Sequence, residues 1–88
     1  MNCTVRIPSP LRSYTAGAPV VPGTGVTVEA VLADLEQRFG GIRFRMVDEQ
    51  NRIRPHMRLY VNTREVTALS QPVGAGDTLH IICALSGG

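Results

Sequence analysis

The sequence predicts a small α+β domain in which a mixed sheet of four to five strands carries one main helix across one face. Several short runs place apolar residues at every second position, which is typical of half-buried strands. One longer run instead places them at helical spacing, between a threonine and two glycines. The chain has 88 residues, of which 43% are hydrophobic. This size and composition favour one folded domain.

The first part of the chain predicts an antiparallel hairpin. Apolar residues alternate with polar ones in the first strand, and its inward positions are Cys3, Val5 and Ile7. Pro8 and Pro10 end this strand because proline cannot donate a ladder hydrogen bond. Residues 9–19 are polar or small and predict a turn and loop. Val20-Val21 is expected to form a short second strand that Pro22-Gly23 closes.

The main helix is predicted by spacing and by its two ends. Thr27 is a capping residue, and Gly40-Gly41 can end the helix in left-handed geometry. The apolar face consists of Val28, Val31, Leu32, Leu35 and Phe39. Residues 42–46 predict one further helical turn, with Ile42 and Met46 facing inward.

The second half of the chain predicts three more strands after a polar loop at residues 48–55. The inward positions of the third strand are Met57, Leu59 and Val61. A turn at residues 62–65 leads into a short fourth strand at residues 65–67, and residues 78–84 form the last strand. The order β-β-α-β-β-β is that of the β-grasp, or ubiquitin-like, fold. In that fold the last strand runs parallel beside the first at the centre of the sheet.

Four residues of these strands are predicted to form a partner-binding surface. Ile82 and Tyr60 fall out of phase with the core positions of their strands, so they are expected on the open face of the sheet. Arg58 and Arg6 alternate in the same way and are expected beside them. Apolar residues on a solvent-facing sheet often mark a docking surface.

Composition restricts the classes of function. The net charge of +2 is too small to indicate nucleic-acid binding, and no apolar run is long enough to span a membrane. The alternating pattern begins directly after Met1, without a signal peptide, so a cytoplasmic location is expected. All nine basic residues are arginine. The chain therefore has no lysine side chain on which copies of itself could be joined.

The sequence offers no catalytic or metal-binding motif. Cys3 and Cys83, with His56 and His80, do not have the spacing of a zinc site, so no metal site and no bound cofactor are expected. A disulfide between the two cysteines depends on whether the first and last strands are neighbours. Gly23-Thr24-Gly25 lacks the lysine of a phosphate-binding loop.

The end of the chain gives the clearest functional signal. The last strand is followed directly by Leu85-Ser86-Gly87-Gly88. With the β-grasp order, this ending resembles the MoaD/ThiS family of ubiquitin-like sulfur carriers. Further similarities place the chain closest to the longer, CysO-like branch; they are Val5-Arg6-Ile7-Pro8, Leu11-Arg12, Asp34-Leu35-Glu36, Gly41-Ile42 and Leu59-Tyr60-Val61-Asn62. Cys83 and Ser86 depart from the family pattern, where proline and a smaller residue are frequent.

The resemblance implies that the chain is a protein-bound sulfur donor and not an enzyme. A β-grasp domain at residues 1–84 would present a flexible tail at residues 85–88. A ThiF/MoeB-like adenylating enzyme would use Mg-ATP to activate Gly88, which becomes a thiocarboxylate. Leu85, Ser86 and Gly87 would thread with it into the partner's active site. The sulfur acceptor would be a cysteine synthase-like enzyme, a molybdopterin synthase or a secondary-metabolite synthase. In the cysteine route a metal-dependent protease would release the product.

Two other interpretations remain open at the level of sequence. The chain could be a ubiquitin-like modifier that is joined to lysines of other proteins, which the absence of its own lysines does not exclude. It could also be a β-grasp binding module whose carboxyl end is never activated. Conversion of the Gly88 carboxylate to a thiocarboxylate would distinguish the sulfur carrier from both of these interpretations.

Overall fold

A computed structural model describes residues 2–84, which form a five-stranded mixed sheet. The strands are β1 (Asn2–Arg6), β2 (Val20–Thr24), β3 (Met57–Val61), β4 (Arg64–Glu65) and β5 (Thr78–Cys83). Their order in the sheet is β2-β1-β5-β3-β4. Only β1 and β5 pair in parallel, and the other neighbours pair antiparallel. The predicted fold class, with the terminal strands side by side, is confirmed.

Helix α1 (Val28–Arg38) supplies the second layer of the domain. The Thr27 hydroxyl accepts a hydrogen bond from the Ala30 N–H at 3.1 Å, as the sequence predicts for a capping residue. Four apolar residues on one face of α1 are fully buried, and Phe39 packs at the margin of the core. The short helix α2 (Ile42–Met46) follows, and both of its predicted inward residues are buried.

The sheet contributes its alternate residues to the same core. Val5, Leu59 and Leu79 from three neighbouring strands are fully buried. The residues between them point to the other face, which α1 does not cover. The core therefore lies between α1 and one face of the sheet, and the second face remains open.

Residues 9–19 are more ordered than predicted, because Ser9–Thr15 forms a 3₁₀ helix. Pro10 is accommodated because the first turn of a helix needs no N–H from this position. Leu11 and Thr15 are buried, and the Thr15 hydroxyl bonds to the Arg12 and Ala18 carbonyls. The prediction of a loop was wrong here, since burial of Leu11 holds the segment against the core.

Strand β2 continues through Pro22-Gly23, where the sequence predicted its end. β2 is an edge strand, and edge strands tolerate proline because one row of their backbone groups has no partner strand. Gly23 lies against the core, where an added Cβ would be 2.8 Å from Val5 Cγ2. The dipeptide is thus part of the sheet and not a turn.

Two boundaries also differ from the prediction. β4 spans Arg64–Glu65 instead of residues 65–67, because Asn62 adopts a left-handed φ of 56° and closes the hairpin in two residues. At the end of α1, Phe39 is the capping residue. Gly41 has the left-handed φ of 97°, and it begins α2.

Candidate functional site

The open face of the sheet brings together the four predicted partner-binding residues. Arg6 lies opposite His80 in the parallel pair of β1 and β5, and Tyr60 lies opposite His80 in the antiparallel pair of β3 and β5. In the same pair Arg58 lies opposite Ile82. The four residues therefore lie on or beside the C-terminal half of β5, the central strand.

The apolar part of this face is exposed. Ile82 is 46% exposed, and Tyr60 and His80 are half-buried. Together with Asn62 and Thr63 these residues line a shallow depression. An exposed aliphatic side chain beside an aromatic ring on a rigid sheet is suited to contact with another protein.

Two contributors to the open face were not among the predicted partner-binding residues. His80 lies at its centre, and period-two alternation already places it there with Ile82. Val20, opposite Arg6, is 42% exposed and extends the face onto β2. Because neighbouring residues of a strand point to opposite faces, an inward Val21 would have placed Val20 on the open face.

The two arginines of the face differ in their electrostatic surroundings. Arg58 donates to Glu65 at 2.9 Å on the neighbouring strand β4. Arg6 has no acidic side chain within salt-bridge distance among residues 2–84. Arg6 is therefore the cation of this face that is available to an acidic group of a partner.

The open face leads directly to Ala84, the last described residue. The Ala84 N–H donates to the His56 carbonyl at 2.8 Å, so the pairing with the chain before β3 continues to the last described residue. The predicted reactive residue Gly88, and Leu85, Ser86 and Gly87 of the predicted tail, lie outside the described residues. Their roles, and the division into residues 1–84 and 85–88, stay predictions.

The cysteines and histidines do not form a cluster in the part of the chain that the structure describes. The register of β1 and β5 places Cys3 beside the start of β5, whereas Cys83 lies at its end. Cys3 lies beside Asp77, six residues before Cys83, and six residues of a strand span roughly 20 Å. Within residues 2–84, no group of three His, Cys, Asp or Glu side chains is placed to hold a metal ion. The same residues include no helix that could cross a membrane.

The sequence profile of the ThiS family matches residues 5–88, nearly the whole chain. The chain belongs to the ThiS family. The predicted family resemblance is thereby confirmed.

The chain aligns with its relatives over nearly the full length of both. The chain is 37% identical to the sulfur carrier protein CysO of Mycobacterium tuberculosis, and the alignment covers 100% of both. The crystal structure of that organism's CysO has a TM-score of 0.89 and 33% identity, with 94% of this chain and 99% of the other covered. The Amycolatopsis orientalis BexX/CysO complex contains a chain with a TM-score of 0.90 and 38% identity, with coverages of 98% and 99%.

These similarities confirm the predicted class of function. This member of the ThiS family is a full-length homologue of the sulfur carrier CysO, and such carriers are protein-bound sulfur donors, not enzymes. The likeness to SAMP1 of Haloferax volcanii, at 22% identity and a TM-score of 0.83, shows the shared fold alone. It gives no support to a modifier function.

Proposed function

We propose that a ThiF/MoeB-like adenylating enzyme activates the C-terminal Gly88 with Mg-ATP and that the chain then carries sulfur as a thiocarboxylate. The observation that supports this most strongly is the full-length similarity to CysO, together with a Gly87-Gly88 ending directly beyond the central strand. The nucleotide and magnesium belong to the partner, and the chain itself binds no cofactor. Since activation requires ATP, the proposal places the protein in the cytoplasm.

The reaction proceeds in two balanced steps. A Gly88 carboxylate oxygen attacks the α-phosphorus of ATP, which forms an acyl-adenylate and releases pyrophosphate. Hydrosulfide then attacks the acyl carbon; a C–S bond forms, the C–O bond to AMP breaks, and one proton is released. Adenylation is needed because a free carboxylate has no adequate leaving group.

The tail has the composition that this chemistry needs. Glycine has no Cβ, so Gly87 and Gly88 can approach the walls of a narrow channel closely. Four extended residues, Leu85 to Gly88, span about 13 Å. This length lets the reacting carbon enter a partner's active site while the folded domain stays outside. Leu85 is the one large apolar side chain of the tail and serves as its anchor.

The open face supplies the docking contacts in this proposal. Ile82 and Tyr60 offer apolar surface, and Arg6 and Arg58 offer charge beside it. Full burial of a side chain such as isoleucine is worth about 1.5–3 kcal/mol, and Ile82 has roughly half of that left to gain. Such contacts offset part of the ordering of the tail, which costs about 1–2 kcal/mol per residue.

The sulfur acceptor is proposed to be a biosynthetic synthase. Similarity to CysO favours a cysteine synthase-like enzyme, with a metal-dependent protease that releases the new amino acid from the carrier. Complex formation between CysO and BexX in Amycolatopsis orientalis illustrates that a carrier of this kind associates with another protein. A molybdopterin synthase or a secondary-metabolite enzyme are the alternative acceptors.

Intact-mass measurement tests the proposal. The full chain is incubated with the adenylating enzyme, Mg-ATP and sulfide, and we expect one oxygen to be replaced by sulfur. Deletion of Gly88 is expected to abolish the change without altering the melting temperature, because the described core lies within residues 3–81. An unchanged wild-type mass, under conditions in which CysO reacts, would contradict the proposal. An adduct on lysines of added proteins would indicate a modifier instead.

A further inference from the structure

Two arginines flank the end of β5 from which the tail continues. Arg12 bonds to the Ile7 carbonyl at the end of β1, and the Arg54 carbonyl accepts from Met57, the first residue of β3. β1 and β3 are the two neighbours of β5. Since adjacent strands lie about 4.8 Å apart, these two strands are roughly 10 Å apart across β5. The Arg12 side chain is therefore attached to one neighbour of β5, and the Arg54 backbone to the other.

Both guanidinium groups are held in place by their Nε atoms. Arg12 Nε donates to the Ile7 carbonyl at 3.0 Å, and Arg54 Nε donates to the Phe44 carbonyl at 2.7 Å. The Arg54 guanidinium also lies 4.5 Å from the centroid of the Phe44 ring. Both side chains are half-buried. Their orientation is thus largely fixed before any partner arrives, which reduces the entropy lost on binding.

The terminal nitrogens of both arginines are unused among residues 2–84. Four other arginines form ion pairs, namely Arg38, Arg43, Arg52 and Arg58. Asp48 interacts with Arg54, but its carboxylate already accepts from the backbone N–H groups of Gln50 and Arg52. The fold thus leaves two oriented cations with no carboxylate at salt-bridge distance in the described part of the chain.

The tail has no side-chain charge with which to select a partner. Leu85, Ser86 and the two glycines are uncharged, so charge recognition near the tail falls to the folded domain. Guanidinium groups bind carboxylates in bidentate geometry, and such pairs are stronger than neutral hydrogen bonds. Two fixed guanidinium groups beside the tail are therefore complementary to a channel entrance that carries carboxylates.

We propose that Arg12 and Arg54 form a docking clamp for Asp and Glu side chains at the entrance of the adenylating enzyme's tail channel. The proposal rests on the proposed function, since it assumes that the tail enters an enzyme. The clamp aligns the domain so that the residues after Ala84 point into the channel. It is separate from the open face, whose contacts come from β5 and its neighbours.

Binding measurements without ATP test the clamp independently of chemistry. The Kd between the full chain and a ThiF/MoeB-like adenylating enzyme from the same genome is measured by calorimetry over a range of salt concentrations. We expect Arg12→Gln and Arg54→Gln each to weaken binding about tenfold at low salt, and to reduce its salt dependence. Arg54→Lys, which keeps the charge but loses bidentate geometry, is expected to fall between wild type and Arg54→Gln.

Arg64→Gln is the matched control. Like Arg12 and Arg54, Arg64 has no ion pair among residues 2–84, but it is exposed and lies in β4 at the opposite end of the sheet. The Arg64→Gln substitution removes the same charge, and we expect it to leave the Kd within twofold of wild type. Thermal melting of every variant verifies the fold.

Each outcome decides between the two proposals. Equal binding of the wild type, Arg12→Gln and Arg54→Gln overturns the clamp, as does a loss of the same size in Arg64→Gln. Absence of any binding by the wild type overturns it as well. If charge-dependent binding is present but Mg-ATP and sulfide leave the mass unchanged, the clamp stands and the sulfur-carrier chemistry fails.

Discussion

Tyr60 lies directly opposite His80 across the antiparallel pair of β3 and β5, and both side chains belong to the open face of the sheet. The candidate docking surface is consequently built on paired strands and not on loops. Strand-borne residues hold their spacing when a partner approaches, so little ordering is required of them. The proposed function thus divides recognition and chemistry between a rigid face and the residues that follow Ala84.

Ile82→Thr tests the apolar part of the open face. Threonine keeps the β-branched shape and the methyl group but replaces the ethyl branch with a hydroxyl. We expect the KM of the adenylating enzyme for the carrier to rise about fivefold, which corresponds to roughly 1 kcal/mol. The free energy of unfolding should change by less than about 0.5 kcal/mol, because Ile82 is exposed.

Val26→Thr is the matched control for Ile82→Thr. Val26 is 59% exposed and follows β2 at the end of the sheet remote from Ala84. The KM should remain that of wild type. An equal rise in both variants would remove Ile82 from the docking surface.

Gly23→Ala tests the close packing of β2 on the core. Its Cβ would lie 2.8 Å from Val5 Cγ2 and 3.0 Å from Val31 Cγ1. We expect a loss of about 1–3 kcal/mol in the free energy of unfolding, measured by urea denaturation. Gly40→Ala is the comparison, since nothing lies within 4 Å of its added Cβ. It should be neutral or stabilising by up to about 1 kcal/mol, and a Gly23→Ala protein of equal stability would disprove the packing argument.

Asp77→Asn tests the pH dependence of stability. Hydrogen bonds from the Gly74 N–H and the Asn62 side chain lower the pKa of Asp77. Its contribution is therefore complete above the pKa of an aspartate in an unfolded chain and is lost as the pH falls through the lowered value. We expect the variant to be less stable than wild type at pH 7.

The stability difference between Asp77→Asn and wild type should narrow as the pH falls to about 3, because the wild-type carboxylate then becomes protonated. Urea denaturation at several pH values measures this difference in the free energy of unfolding. Glu49→Gln is the control, since Glu49 accepts no hydrogen bond from other residues of the described range. A difference that stays constant with pH would contradict the assignment.

The two cysteines are expected to remain reduced within one chain. Cys83 lies at the end of β5, whereas Cys3 lies in β1 beside the start of β5, so the two thiols are far beyond the distance that a disulfide bridges. The melting temperature should therefore be the same with and without dithiothreitol. Burial, then the charges of Asp34 and Asp77, raise the pKa of the Cys3 thiol, so a thiol reagent should modify half-buried Cys83 first. Faster labelling of Cys3 would be contrary to the fold.

The sequence predicted those features that depend on local periodicity. The spacing from Val28 to Phe39 and the cap at Thr27 predicted α1, and alternation assigned Arg6, Arg58, Tyr60 and Ile82 to one face. The strand order then followed from the order of elements. The chemistry assigned to Gly88 came from the family resemblance, and it lies outside the described residues.

Features that depend on tertiary position could not be read from the sequence. Pro22 is compatible with a strand because β2 is at the edge, which is a property of the whole sheet. Ser9–Thr15 has no helical period, and it is ordered by burial of Leu11. The clamp arginines are fixed by carbonyls of Ile7 and Phe44, and the second of these is ten residues away from Arg54 along the chain.

The placement of β5 between two paired neighbours has a mechanical consequence. An enzyme that draws the carboxyl end into its channel pulls β5 along its own length. Such a pull loads the hydrogen bonds to β1 and β3 simultaneously, in shear, instead of opening them one after another as it would at an edge strand. Under the proposed function, the domain would thus resist traction at its carboxyl end and stay folded while that end is drawn into the enzyme.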